Sequence, residues 1–96
     1  MLFIRRLVWD PFNVAHIARH AVVSEEVEAV CQGDPVVETG KQGRLLVFGP
    51  TRAGRILTVV LDATETAGVY YVVTARPASR RERRIYARTR GGGEEQ

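Results

Sequence analysis

At 96 residues, 45% hydrophobic and 26% charged, the chain has the size and composition of one folded domain. No apolar run is long enough to span a bilayer, and the lone Cys31 excludes an internal disulfide or a cysteine metal cluster. The net charge is +3, and thirteen of the fourteen basic residues are arginine; the opening Met1-Leu2-Phe3-Ile4-Arg5-Arg6 lacks the basic-then-apolar order of a secretory signal, so a cytoplasmic protein is expected.

Residues 2–9, Leu-Phe-Ile-Arg-Arg-Leu-Val-Trp, are apolar and β-prone and predict a strand. Asp10 followed by Pro11 starts a helix, an acid at the cap and proline at the first helical position. That helix is expected over residues 11 to about 20. Val14, Ile17, Ala18 and Ala21 form its apolar side, and Asn13, His16 and His20 fall together on an adjacent polar side. Ser24 is the expected cap of a second helix, with Glu25 and Glu26 near the positive end of its dipole. Val27, Val30 and Cys31 give it an apolar stripe, and Gly33-Asp34-Pro35 stop it.

Four strands follow, over residues 35–39, 44–49, 55–62 and 69–75, the third the most apolar and the expected sheet centre. Short turns carrying glycine favour antiparallel hairpins over crossovers. Ser79 caps a closing helix, and Glu82 three residues later completes a capping box. The order β, α, α, β, β, β, β, α predicts an α+β domain over residues 1–90 with helices packed on one face of a small, mainly antiparallel sheet, and residues 91–96 as a flexible tail.

Charge is unevenly spread. The stretch from Ser24 to Glu38 is acidic, whereas seven arginines lie between Arg76 and Arg90 against one acid, Glu82. A field of that sign on so short an element attracts phosphate, and the planar guanidinium fork suits it. RNA is therefore one expected ligand. A solvated face, or a surface that docks an acidic protein partner, explains the same pattern.

Two stretches carry a family resemblance. Trp9-Asp10-Pro11-Phe12-Asn13-Val14-Ala15-His16-Ile17-Ala18-Arg19-His20-Ala21-Val22, with Glu25-Glu26-Val27-Glu28 behind it, resembles the amino-terminal signature of BrnT-type toxins. Val73-Thr74-Ala75-Arg76-Pro77-Ala78-Ser79-Arg80-Arg81-Glu82-Arg83-Arg84-Ile85-Tyr86 resembles their closing signature. The chain has Ala21 where many members have glycine, and Arg19-His20 where many have Lys-His. The resemblance implies the toxin of a type II toxin–antitoxin pair, with a RelE-like fold and RNA-cleaving activity. It also implies a small antitoxin partner with a ribbon-helix-helix DNA-binding domain, a toxin–antitoxin heterotetramer, and DNA contacted through the antitoxin.

Cleaving RNA without a metal or other cofactor requires a base for the 2′-hydroxyl, positive charge for the phosphorane, and an acid for the departing 5′-oxygen. His16 and His20 lie one helical turn apart and suit either proton-transfer role. Arg76, at the exit of the last strand, is placed to hold the scissile phosphate; Arg44, Arg80 and Arg83 are placed to hold it or its neighbours. Tyr86 can donate a proton or stack on a base. Each has a plainer explanation. The histidine pair is also half of a metal site, though no further ligands stand at matching spacing. His20 also suits a helix end, where a cation is favoured, and Asn13 and His16 can simply bond a neighbouring loop. Glu82 serves equally as a cap. Trp9 reads as core, and one of Tyr70 and Tyr71 faces in. A non-catalytic module for protein or nucleic-acid binding remains the alternative to an enzyme.

Overall fold

Asp10 accepts from the backbone N–H of Asn13 at 2.9 Å while the Asn13 amide oxygen accepts from the Asp10 N–H at 2.9 Å, a reciprocal cap that launches the first helix behind Pro11. The computed structural model describes residues 3–91. Its elements are β1 (Arg6–Val8), α1 (Pro11–Ala18), α2 (Ser24–Gln32), β2 (Val36–Thr39), β3 (Leu45–Pro50), β4 (Ile56–Ala63), β5 (Val69–Pro77) and α3 (Arg80–Tyr86), which runs on into a π-helical turn at Ala87–Gly91. The element order is the one expected of an α+β domain. Apart from Gly91, the expected tail of residues 91–96 lies outside the described residues.

The five strands form one sheet in the order β1-β5-β4-β3-β2. Three hairpin pairs are antiparallel, and β1 joins β5 in parallel. As anticipated, β4 is central. Between the pairs Leu61–Val72 and Val60–Thr74 the register shifts by one, so Val73 is an extra residue on β5. This bulge explains why Val72 and Ala75, three residues apart on β5, are buried on the same face.

The main core lies between one sheet face and α1 and α2. Ile17, Val22, Val27 and Val30 pack there with Val47, Leu57, Val59, Leu61, Val72 and Ala75. Full burial of side chains such as Leu57 and Leu61 contributes about 1.5–3 kcal/mol each. A Cβ added at Gly49 would stand 3.2 Å from Val30 Cγ1, so glycine lets α2 sit close on this face. The opposite face carries the cross-strand row Val36, Phe48, Thr58 and Arg76. Glu82 of α3 bonds Thr58 and Arg76, which places α3 on that side.

Four expectations need correction. The helices do not share a sheet face: α2 sits over Gly49 through Val30, whereas α3 bonds Thr58 and Arg76, whose side chains leave the sheet on the opposite side. The first strand is three residues rather than eight. Beyond Tyr71 the edge of β5 is taken by α1, whose Asn13 Nδ2 donates to the Val72 and Val8 carbonyls at 3.1 and 2.9 Å. Those same bonds bury Asn13 (2% exposed) and turn Val14 outward (44% exposed), so the packed stripe of α1 is Asn13 and Ile17; of the predicted apolar side only Ile17 is buried, and the histidines are exposed as expected. Lastly, the cap of α2 is Val23, one residue before Ser24. Valine offers no side-chain acceptor to the helical N–H groups, and the bond made instead runs from the Val23 N–H to the Glu26 carboxylate at 3.1 Å.

Candidate functional site

Arg76 leaves β5 at the start of the loop to α3, and its guanidinium is held by a buried acid. Nη1 and Nη2 donate to the two Glu82 carboxylate oxygens at 2.8 and 2.9 Å. Glu82 is 7% exposed and also accepts from Thr58 Oγ1 and from the Ser79 N–H, each at 2.8 Å. Ser79 Oγ in turn accepts from the Glu82 N–H, completing the expected capping box. The bond to Arg76, reinforced by those from Ser79 and Thr58, outweighs burial and holds the Glu82 carboxyl down at about 2. Such an acid stays ionised at neutral pH and is too weak a base to take a hydroxyl proton. Arg76 is pushed up in return, chiefly by its bond to Glu82. Side-chain exposure of 38% leaves part of the guanidinium open to a ligand.

The arginines of α3 are less constrained. Among the described residues, Arg80, Arg81 and Arg84 are exposed and make no side-chain hydrogen bond or ion pair. Arg83 donates to the Ala78 carbonyl at 2.9 Å, and Arg90 reaches the Pro35 carbonyl and the Asp34 carboxylate. Tyr86 is half-buried at the end of α3. Because α3 has one acid and Arg76 neutralises it, its outward field is almost purely positive.

A second cluster lies on α1. His16 and His20 are both exposed, with ring centroids 5.8 Å apart in an edge-on arrangement. A cleft of about 460 Å³ between α1 and β5 is walled by Phe12, Asn13, His16, Arg19, Tyr71 and Val73. No carboxylate lines it. Asp10, which precedes Pro11 of the lining, accepts from the Asn13 N–H at 2.9 Å and from Tyr71 Oη at 3.0 Å. Partial desolvation, helped by that bond and the Asp10 charge, raises the Tyr71 pKa, so the phenol stays protonated.

The two clusters border the same strand. Val73 in the α1 cleft and Arg76 at α3 are three residues apart on β5, roughly 10 Å at 3.3 Å per residue. Tyr71 pairs with Asp62, and Arg76 with Thr58, so both side chains leave the sheet on the α3 side. Thr74, between them on that side, has its Oγ1 shielded from solvent without a hydrogen-bond partner among the described residues. His16 is thus beside the strand that carries Arg76, but no hydrogen bond joins either histidine to Arg76, Arg80, Arg83 or Tyr86 among the described residues. Arg44 stands at the far end of the same face. It bonds Asp62 at 3.2 Å, four strand residues or about 13 Å from the Thr58 position.

Phe12, Arg19 and Tyr71 were not singled out by the sequence pattern as site residues. The spacing of Phe12, His16 and Arg19 at i, i+4 and i+7 was nevertheless a readable signal of one helix face. Of the paired tyrosines, Tyr70 packs on the core and Tyr71 faces the other way, as alternation requires. Trp9 packs against the core with its indole N–H donated to Glu28 at 2.8 Å. Another cleft, about 560 Å³, opens by α2 and is lined by Trp9, Glu25, Glu28, Gln32 and Arg52. It contains none of the expected site residues, and its carboxylates oppose phosphate. Among the described residues no group of three or more His, Cys, Asp or Glu is placed to hold a metal ion, and no helix is long and apolar enough to cross a membrane. No known protein family matches the chain, and no curated protein matches it either.

Proposed function

We propose that the chain is the RNA-cleaving toxin of a type II toxin–antitoxin pair, a BrnT-type protein with a RelE-like fold. The observation that carries this reading is the strand β5 itself. It presents Arg76, fixed by a buried carboxylate, at one end of a surface whose other end adjoins the α1 cleft with His16 and Arg19. Cations along one strand suit successive phosphates of one polynucleotide. His16, open to solvent, takes the proton of a 2′-hydroxyl. The 2′-oxygen then attacks phosphorus, the bond from phosphorus to the 5′-oxygen breaks, and that oxygen receives a proton from His20, Tyr71 or Tyr86. Products end in a 2′,3′-cyclic phosphate and a free 5′-hydroxyl. Arg76 and the α3 arginines Arg80 and Arg83 neutralise the phosphorane, and Arg44 holds a flanking phosphate. The basic α3 surface is also where an acidic antitoxin segment would dock. That partner is a ribbon-helix-helix protein, in a heterotetramer that contacts DNA through the antitoxin.

Incubation of the purified protein with end-labelled single-stranded RNA tests the reading. Cleavage with cyclic-phosphate ends is expected, and His16→Asn should slow it by roughly 10²–10⁴, the usual worth of positioned proton transfer. His16 is exposed, so the variant should retain its fold. RNA left intact across a range of salt would sink the nuclease reading and favour the non-catalytic module.

A further inference from the structure

Phe12 is 81% exposed, the most exposed of the large apolar side chains among the described residues. Single exposed apolar residues are common and need no explanation by themselves. The setting of this one is unusual in three respects. First, its backbone is rigid: it follows Pro11 in a helical turn closed by the Asp10–Asn13 cap, with Asn13 anchored on two strand carbonyls. Second, it shares a helix face with His16 and Arg19, at the mouth of a cleft without a carboxylate. Third, Val73 on the far wall of that cleft lies three residues, about 10 Å, from Arg76 along β5.

A flat apolar ring beside cations, on a frame that loses little entropy on binding, is the combination that receives a nucleobase and its phosphate. We propose that Phe12 is a stacking platform for an unpaired base, and that the α1–β5 cleft therefore selects single-stranded over duplex RNA. A base inside a duplex has both faces covered by its neighbours and cannot reach the ring without leaving the stack. The inference rests on the RNA reading above and adds a substrate class to it.

The test uses 2′-O-methyl RNA, which binds without being cut at the 2′-position. Fluorescence anisotropy measures a labelled single strand and the duplex of the same sequence against the wild type, Phe12→Ala, Phe12→Trp and Arg80→Ala. Phe12→Ala should weaken single-strand binding roughly 5- to 150-fold, the span of one base–aromatic stack. Phe12→Trp should restore it. Duplex binding and the salt slope of single-strand binding should stay as in the wild type, whereas Arg80→Ala should make that slope shallower. Should Phe12→Ala bind the single strand as tightly as the wild type, or lose both forms of RNA equally, the stacking role is overturned. The first result would leave the RNA reading intact and point Phe12 toward a protein partner. A wild type that binds neither form overturns both readings together.

Discussion

Replacing Glu82 by alanine should cost about 3 kcal/mol of stability at neutral pH. The carboxylate satisfies four donors: two from Arg76, one from Thr58 and one from the Ser79 backbone. Breaking a buried ion pair by removing one member costs about 3–5 kcal/mol, because the other charge is left unpaired. Arg76 is 38% exposed and recovers part of that loss from water, which places the cost near the lower end. Linkage gives a similar figure. Lowering the Glu82 carboxyl from its ordinary 4.5 to about 2 is worth about 3 kcal/mol at 1.36 kcal/mol per tenfold. Since the folded state lowers this pKa, the contribution is complete above pH 4.5 and is lost as pH falls toward 2. Urea unfolding of the wild type and Glu82→Ala at steps from pH 7 to pH 2 measures this directly. At pH 7 the melting temperature should also drop by roughly 12–24 °C, at about 4–8 °C per kcal/mol for a domain of this size. The stability gap should shrink to about 1 kcal/mol near pH 2, where a neutral acid still makes hydrogen bonds. A gap that stays constant over that pH range, or that is absent at pH 7, would refute the argument.

Other consequences are simpler. Ala21 closes α1 with φ 60°, in the left-handed region, where its N–H donates to Ala18 and that of Val22 to Ile17. Ala21→Gly should therefore stabilise the protein by about 1 kcal/mol in urea melts, and a loss of stability would contradict that account. Burial, with some help from Glu28, pushes the Cys31 thiol up to about 12. The native protein at pH 8 should react with a disulfide reagent only on the timescale of unfolding, and quickly in denaturant; fast native labelling would show that the thiol is open.

Much of the fold was legible because the signals were local. Asp10-Pro11 and Ser79 with Glu82 announce helix starts through side chains acting three residues away, and both caps form. The glycine-bearing turns gave the hairpins, and the apolar run of β4 gave the centre of the sheet. Misreadings arose where distant groups decided the outcome. Asn13 is polar, yet it is buried because its amide donates to the Val8 and Val72 carbonyls, and Val72 is 59 residues away. Val14 is apolar, yet it is exposed as a consequence. At the candidate site the residue types were visible but their engagements were not. Nothing in the pattern around Glu82 said that it would bond Thr58, 24 residues before it, or hold Arg76 in a two-pronged pair.

Least legible was the bulge at Val73, and the candidate site depends on it. Tyr71 and Arg76 are five residues apart, so a regular strand would send their side chains to opposite faces. Val72 and Ala75, an odd number of residues apart, would likewise be divided, and one of them would leave the core that both now occupy. The extra residue solves both problems together. It keeps Val72 and Ala75 against α1 and α2, and it brings Tyr71 and Arg76 onto the α3 face, opposite Asp62 and Thr58 respectively. Only then can Arg76 meet Glu82 and the α1 cleft adjoin the surface that bears the arginine. A single inserted residue thus serves packing on one side of β5 and assembles the charged surface on the other, which is why Val72 and Ala75, three residues apart, are both buried in the same core.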